Sequence, residues 1–164
     1  MAEGSLIPEA AWAMVGQMLG KPVHREVLRK EIERYAYAVG DENPLYFDSA
    51  YAQDAGYRDV IAPPLYVEMF RREAVPLAEL REDGISKGDQ PIPLKANRML
   101  AGGEAIEIYQ PLYPGDILTV ETRLVSLTEK IGRSGPFVLA VRETMYTNQE
   151  GIVVIKTRNT RIFM

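Results

Sequence analysis

The sequence predicts an α+β fold in which an antiparallel sheet packs on one long helix. The first half of the chain contains a stretch with a helical apolar stripe, over residues 30–39. After residue 104, apolar and polar residues instead alternate in several long runs separated by turn residues. One helix followed by several antiparallel strands is typical of a two-layer arrangement with the sheet against the helix.

Length and composition agree with one ordinary domain. The chain has 164 residues, of which 46% are hydrophobic, enough for a single core. We therefore expect one domain over residues 1–164, with residues 1–20 as an N-terminal extension and residues 76–103 as an irregular loop region.

Charge and cysteine content exclude several classes of protein. The net charge of −4 argues against a nucleic-acid binder. With no cysteine and one histidine, the chain has no disulfide and few metal ligands, so we expect no metal site. No apolar run approaches about 18 residues and no leader peptide is visible, so we expect a cytoplasmic protein that does not bind membranes.

The first elements are short. Pro8 can open a helix over Glu9–Leu19, which Gly20 closes. Its apolar side could pack on the domain or on a neighbouring subunit, and both remain open; that side carries Trp12, Val15 and Leu19. Residues Val23–Leu28 form either a short strand or the start of the next helix.

The central helix is predicted over about Lys30–Val39 and leads into a polar turn. The residues of its stripe are spaced by three and four, as in a helix with one buried face: Leu28, Ile32, Tyr35, Ala36 and Val39. Gly40 suits the left-handed backbone that ends many helices. Asp41, Asn43 and Pro44 follow within a few residues, so small polar groups are held beside the core, which indicates a site.

Two further helices are predicted after this turn. Ser49 is a plausible N-cap for a short helix over Ala50–Ala55, ended by Gly56. Pro64 suits the first turn of a helix over Leu65–Ala74. Pro63 and Pro64 either lead to free helix amides that bind a carbonyl or phosphate oxygen, or merely stop the chain and restart a helix.

The strands follow the irregular region. They are predicted over Ala105–Tyr109, Ile117–Leu127, Phe137–Tyr146 and Ile152–Phe163. The turns between them lie at Pro111–Gly115, Gly132–Pro136 and Asn148–Gly151.

The stretch Gly40–Asp48, reading GDENPLYFD, resembles the hydratase-2 motif of the MaoC-like hydratases and dehydratases. Similarity extends to Ile61–Pro64, Arg98–Glu104 and Pro114–Asp116, and also to Gly132–Pro136 and Tyr146–Gly151. The resemblance implies a hot-dog fold, in which a curved sheet wraps around the central helix. It also implies acyl-thioester substrates bound across a two-subunit interface, with residues 76–103 near the acyl tunnel as a lid, a tunnel wall or a surface loop.

In that family, the aspartate and a histidine five residues later activate the water that is added to, or lost from, an acyl thioester. Asp41 matches the aspartate, but Tyr46 stands at the histidine position. This chain thereby resembles the N-terminal-type MaoC dehydratase domain, or FAS1-like dehydratase domain, which is known from subunits that pair with a catalytic partner. A phenol titrates near pH 10, so Tyr46 is either a poor proton shuttle or a packing residue with a tethered hydroxyl.

The expected site follows from these residues. Asp41 and Tyr46 are the catalytic candidates, and the expected substrate contacts are Asn43, Pro63, Pro64, Leu65, Tyr66 and Arg98. Asn43 could hold the water or the carbonyl, or could cap the turn. Arg71, Arg72 and Arg98 could bind the phosphates of coenzyme A or of a carrier's phosphopantetheine, or could be solvated. We expect no cofactor beyond these parts of the substrate.

Three functions remain open. The first is the tunnel-forming subunit of a two-hot-dog hydratase or dehydratase, in a heterodimer whose partner supplies the Asp–His pair. The second is a self-sufficient homodimeric enoyl-CoA hydratase that uses Asp41. The third is a non-catalytic protein that binds acyl thioesters. A single sheet over one helix leaves an open strand edge, so all three predict a dimer.

Overall fold

Five strands form one antiparallel sheet in the computed structural model, which describes residues 4–70, 75–82, 84, 86–87 and 92–164. The strands are β1 Val23–Glu26, β2 Met99–Ile108, β3 Ile117–Gly132, β4 Gly135–Thr147 and β5 Val153–Phe163. Their order across the sheet is β1-β3-β4-β5-β2, and every neighbouring pair is antiparallel. β3, β4 and β5 are joined by hairpins at the turns that the sequence predicts.

The helices lie before the long strands. They are α1 Glu9–Trp12, α2 Arg29–Val39 and α3 Ser49–Asp54, with 3-10 turns at Pro44–Tyr46, Tyr66–Met69 and Leu77–Glu79. α2 is the predicted central helix, and Val23–Glu26 is a strand, not the start of that helix. The predicted α+β architecture, with the sheet against the central helix, is therefore confirmed.

α2 packs on one end of the sheet and forms the first apolar cluster with it. Ile32 and Ala36 of α2 are fully buried. They share this cluster with buried residues of three strands, among them Val120, Tyr146 and Ile155. The ends of the predicted stripe are instead exposed, with Leu28 at 43% and Val39 at 56%, because only the middle of the helix faces the sheet.

The N-terminal segment covers the other end of the sheet. Ile7 and Ala11 are buried in a second apolar cluster together with Leu124, Val138 and Phe163, among others. Of the predicted apolar side, Val15 and Leu19 pack against this cluster on the chain's own sheet, whereas Trp12 is 47% exposed. The predicted helix over Glu9–Leu19 is too long, because the chain turns after Trp12 and residues 16–19 hydrogen-bond to the edge of β3.

The predicted irregular region ends earlier than expected. β2 begins at Met99, not near residue 104, and includes the Gly102-Gly103 pair. The register shifts between Ala101 and Gly103, and a Cβ on Gly102 would lie 3.0 Å from the carbonyl oxygen of Thr160. Glycine at position 102 thus allows β2 and β5 to approach closely at this bulge. The sequence pattern had instead placed the two adjacent glycines in a loop.

Two helix predictions also need correction. The N-cap of α3 is Asp48, not Ser49, because the Asp48 carboxylate accepts hydrogen bonds from the amides of Ala50 and Tyr51 at 2.8 and 3.1 Å. The expected helix over Leu65–Ala74 is a 3-10 helix at Tyr66–Met69 as far as it is described, and residues 71–74, with Arg71 and Arg72, lie outside the described residues.

Burial of the N-terminal segment gives a stability test. Ile7→Ala removes a side chain that is 2% exposed, so we expect the free energy of unfolding to fall by roughly 2–5 kcal/mol. Trp12→Ala is the control within the same segment, because Trp12 is 47% exposed and should cost less than about 1 kcal/mol. Urea unfolding measures both values, and equal costs would contradict this packing.

Candidate active site

The turn after α2 is built by backbone hydrogen bonds and two polar side chains. Gly40 has φ 72°, the left-handed conformation that ends the helix, and the Asp41 amide bonds to the Ala36 carbonyl at 2.9 Å. The Asp41 carboxylate accepts a hydrogen bond from the Asn43 backbone amide at 3.2 Å. The Asn43 side-chain oxygen accepts the Leu45 amide at 3.1 Å, so Asn43 caps the 3-10 helix at Pro44–Tyr46.

Tyr46 is held between the first apolar cluster and Asp41. Its side chain is 6% exposed and packs in the cluster that also contains Ile32. Burial raises the pKa of the Tyr46 phenol, and the charge of Asp41 and a hydrogen bond with its carboxylate raise it further. The phenol therefore keeps its proton at neutral pH and donates a hydrogen bond to the Asp41 carboxylate.

Tyr46 also lines an open cleft with a volume of about 250 Å³. The cleft lies between the segment after α3 and the end of β2, and its lining is Tyr46, Tyr57, Ile61, Ala62, Pro63, Pro64, Ile108, Tyr109, Gln110, Pro111, Leu112 and Ile155. Two backbone hydrogen bonds fix one wall, from Ile61 to Leu45 at 3.0 Å and from Ala62 to Leu112 at 2.9 Å. Most of this surface is apolar, which suits a hydrocarbon chain.

The polar groups of the cleft are few. Its polar side chains are those of three tyrosines, Tyr46, Tyr57 and Tyr109, and of Gln110, so no carboxylate or imidazole lines the described cleft. Elsewhere in the described residues, no three histidine or carboxylate side chains lie close enough together to hold a metal ion. Hydrogen-bonding groups of this kind can orient a polar head group, but at neutral pH they are poor bases.

The segment Pro63–Leu65 offers one candidate amide donor. The Ala62 amide is already bonded to Leu112, and the two prolines have no N–H. The next amide is that of Leu65, and among the described backbone contacts it has no acceptor. Leu65 is 49% exposed at the start of the 3-10 helix and directly follows Pro64, a residue of the cleft lining.

Of the predicted substrate contacts, Pro63 and Pro64 line the cleft, whereas Asn43, Leu65, Tyr66 and Arg98 do not. Tyr66 is fully buried, and its hydroxyl donates to the Glu31 carboxylate at 3.3 Å; burial and the charge of Glu31 raise the pKa of this phenol. Arg98 is exposed and precedes β2, whereas the cleft lies at the other end of that strand, about 30 Å away at the rise of an antiparallel strand. Their predicted roles in substrate binding are therefore not supported by a shared location, and they stay predictions.

An ion pair between Arg58 and Asp116 was not predicted from the sequence. The Arg58 guanidinium bonds to the Asp116 carboxylate and lies 4.1 Å from the centre of the Tyr113 ring. Asp116 is buried, and its second oxygen accepts the Tyr113 amide at 2.9 Å. The Pro114–Asp116 turn was the one available signal, but the sequence does not show that Arg58 reaches it.

A family match follows from the sequence itself. Residues 13–157 match the family described as FAS1-like, dehydratase domain region. The chain belongs to the FAS1-like dehydratase family.

The chain is also similar in sequence to UPF0336 proteins from other organisms. A UPF0336 protein from Thermobifida fusca is 32% identical over 118 residues, 72% of each chain. A UPF0336 protein from Parafrankia is 28% identical over 149 residues, 89% of this chain and 93% of the relative. The names of these relatives state no activity.

Solved structures establish the fold. One chain of the ChsH1–ChsH2 complex from Mycobacterium tuberculosis has a TM-score of 0.75 at 18% identity, over 95% of this chain and 94% of that one. A MaoC-like dehydratase has a TM-score of 0.73 at 24% identity, over 94% of this chain but only 43% of that one. The predicted hot-dog fold of the FAS1-like dehydratase family is thus confirmed, and this chain spans less than half of the second protein.

In the part of the chain that the structure describes, no helix has both the length and the apolar character needed to cross a bilayer.

The environment of Tyr46 predicts a pH dependence of stability. Because its pKa is raised above the value in the unfolded chain, the native state binds this proton more tightly, and stability is lost as the pH rises above about 10. Tyr46→Phe removes this contribution, so we expect a shallower alkaline loss of unfolding free energy than in the wild type. Urea unfolding between pH 8 and 11 gives both profiles.

Tyr37→Phe is the matched control for the loss of one phenol, since Tyr37 is 67% exposed. Wild-type and Tyr46→Phe profiles that run parallel up to pH 11 would show that Tyr46 contributes no such dependence.

Proposed function

We propose that this chain is the tunnel-forming subunit of a two-hot-dog enzyme that hydrates enoyl thioesters or dehydrates 3-hydroxyacyl thioesters. A partner chain of the same fold supplies the Asp–His pair. The observation that carries this proposal is the environment of Tyr46: the group at the histidine position is a buried phenol whose pKa is raised by burial and by the neighbouring Asp41 carboxylate.

Hydration of an enoyl thioester needs a base for the water, an acid for the alpha carbon and donors for the enolate-like oxygen. A protonated phenol with a raised pKa cannot remove a proton from water at neutral pH, and it is also a weak acid. The remaining polar side chains of the described cleft are two tyrosines and a glutamine, which do not replace an imidazole. The side chains of the described cleft are therefore better suited to bind a substrate than to transfer protons to or from it.

An open strand edge supports pairing with a second hot-dog chain. β2 lies at the end of the strand order, and within the described residues its outer edge has no strand partner. Ile108 and Tyr109, at the end of this strand, line the cleft and are 45% and 52% exposed. A partner that pairs along β2 would bring its own side chains to the open side of the cleft.

Two structural neighbours are complexes of different subunits, which supports the same arrangement. One is the ChsH1–ChsH2 complex, and the other is HadBC, a 3R-hydroxyacyl-ACP dehydratase complex from Mycobacterium tuberculosis. The HadBC chain has a TM-score of 0.66 at 20% identity, over 91% of this chain and 96% of that one. We extend only the two-subunit arrangement and the acyl-thioester substrate class to this chain. No cofactor is proposed besides the coenzyme A or phosphopantetheine that carries the acyl group.

Reconstitution tests the proposed division of labour. The purified chain alone should not hydrate crotonyl-CoA or longer enoyl-CoA above background. Addition of a MaoC-like chain with an intact Asp–His pair, encoded by a neighbouring gene, should give turnover, measured as loss of the enoyl-thioester absorbance. In that complex, Asp41→Asn should change kcat by less than about threefold, whereas Asp→Asn in the partner should lower it by roughly 10²–10⁴.

The alternatives give different results. Turnover by this chain alone that Asp41→Asn abolishes would establish a self-sufficient hydratase and contradict the proposal. Binding of acyl thioesters without turnover, whichever MaoC-like partner is added, would instead indicate a non-catalytic binding protein.

A further inference from the structure

We propose that the Tyr57 hydroxyl donates a hydrogen bond to the carbonyl oxygen of the acyl thioester and thereby orients the substrate in the cleft. This inference rests on the proposed function, because it assigns a binding residue for the same substrate class. Most polar groups of the cleft lining are already bonded to other parts of the chain, whereas the Tyr57 hydroxyl has no hydrogen-bond partner among the described residues.

The backbone offers few donors in this cleft. Pro63, Pro64 and Pro111 of the lining have no N–H. Leu65, whose amide has no acceptor among the described backbone contacts, is not a lining residue. Other lining amides are bonded within the chain: Tyr46 to Asn43, Tyr57 to Ala52, Ile61 to Leu45, Ala62 to Leu112, and both Tyr109 and Gln110 to Val154. A carbonyl oxygen in the cleft therefore depends mainly on side-chain donors.

Two of the three phenols in the lining donate their protons to carboxylates outside the lining. Tyr46 hydrogen-bonds to the Asp41 carboxylate. The Tyr109 hydroxyl donates to one oxygen of Glu107 at 2.7 Å, and the Lys156 ammonium lies 3.1 Å from the other oxygen of that carboxylate. Because a hydroxyl has a single proton, neither phenol can donate to a ligand without losing its bond to a charged acceptor.

Tyr57 is the lining phenol whose proton is left for a ligand. It is half-buried, but its hydroxyl is not one of the described side-chain groups that are both buried and unbonded, so a ligand can reach it. The end of α3 fixes its backbone, because Gly56 has φ 91° and the Tyr57 amide bonds to the Ala52 carbonyl at 3.0 Å. A tyrosine has only two side-chain torsions to order, which lowers the entropic cost of binding.

Tyr57 also lies close to the polar turn after α2. Both Tyr57 and Tyr46 line the cleft. Burial and Asp41 raise the pKa of the Tyr46 phenol most, and the Tyr57 phenol raises it further, so the two phenols are close enough to interact. A thioester carbonyl bound to Tyr57 therefore lies beside this turn, and the apolar part of the lining is left for the acyl chain.

Gln110 is the other lining side chain that can donate. It is exposed at the end of β2, whereas Tyr57 is half-buried. A hydrogen bond is stronger where water competes for it less, so Tyr57 is the better placed of the two donors.

Calorimetric titration of the purified chain tests this assignment without any turnover. The two probes are butyryl-CoA, a saturated thioester, and S-butyl-CoA, a thioether of the same length that lacks only the carbonyl oxygen. The wild type should bind the thioester about three- to tenfold more tightly, as expected for one hydrogen bond to a neutral acceptor. Tyr57→Phe should abolish this preference by weakening the binding of butyryl-CoA alone.

Tyr51→Phe is the matched control. Tyr51 belongs to α3, is 51% exposed and does not line the cleft, so its variant loses a phenolic hydroxyl and should keep the wild-type preference. Gln110→Leu tests the competing donor. A preference that Gln110→Leu abolishes and Tyr57→Phe retains would overturn the assignment, and so would equal binding of the two probes by the wild type.

Infrared spectroscopy and thermal unfolding separate a lost hydrogen bond from a structural defect. A carbonyl that accepts a hydrogen bond absorbs at lower wavenumber, so the ¹³C-labelled carbonyl of butyryl-CoA should absorb lower in the wild type than in Tyr57→Phe. The Tm should not change, because the described residues give the Tyr57 hydroxyl no partner to lose. Identical carbonyl bands, or a lowered Tm with equal loss of affinity for both probes, would overturn the assignment.

The two proposals fail separately. Hydration in the reconstituted complex by a chain that binds thioester and thioether equally would overturn the role of Tyr57 alone. A carbonyl preference that depends on Tyr57, in a chain that no MaoC-like partner makes active, would refute the proposed function alone.

Discussion

The packing of α2 against the sheet positions everything else at the candidate site. Ile32 and Ala36 are fully buried against strand residues, so the axis and the end of this helix are fixed. The helix ends at Gly40 in a left-handed conformation, and the next residues are then bonded back to the helix and to one another. A polar turn that would be mobile in isolation is thereby held against the apolar core, where Tyr46 fills one position.

Features that depend on neighbours in sequence were predictable. The spacing of the apolar residues predicted α2 and the long strands, and Gly40 predicted the end of the helix. These predictions succeeded because each pattern involves residues that are close together in the sequence. Asp41, Asn43 and Tyr46 belong to the same short stretch and do lie together. The hot-dog wrap required the resemblance to a family, because periodicity shows that a sheet packs on a helix but not how the sheet curves.

Features that depend on distant segments were not predictable. Residues 16–19 read as helix, yet their amides and carbonyls bond to β3, more than 100 residues later in the chain. The cleft joins Tyr46, the segment after α3 and the end of β2, so Tyr57 and Tyr109 became cleft residues only through the fold. Arg58 also meets Asp116 only through the fold, because the two residues are 58 positions apart in the sequence. Arg98, a candidate by chemistry, lies at the far end of β2 from the cleft.

A tyrosine at the histidine position changes the proton-transfer chemistry that this turn can offer. An imidazole beside a carboxylate gains and loses a proton near neutral pH, but a buried phenol beside the same carboxylate becomes harder to ionise, because burial and the negative charge act in the same direction. The substitution thus removes proton transfer and adds a stable hydrogen bond. The described residues keep the polar turn and the apolar cleft without an imidazole at this position, and this is the reason for proposing that a partner chain supplies the base.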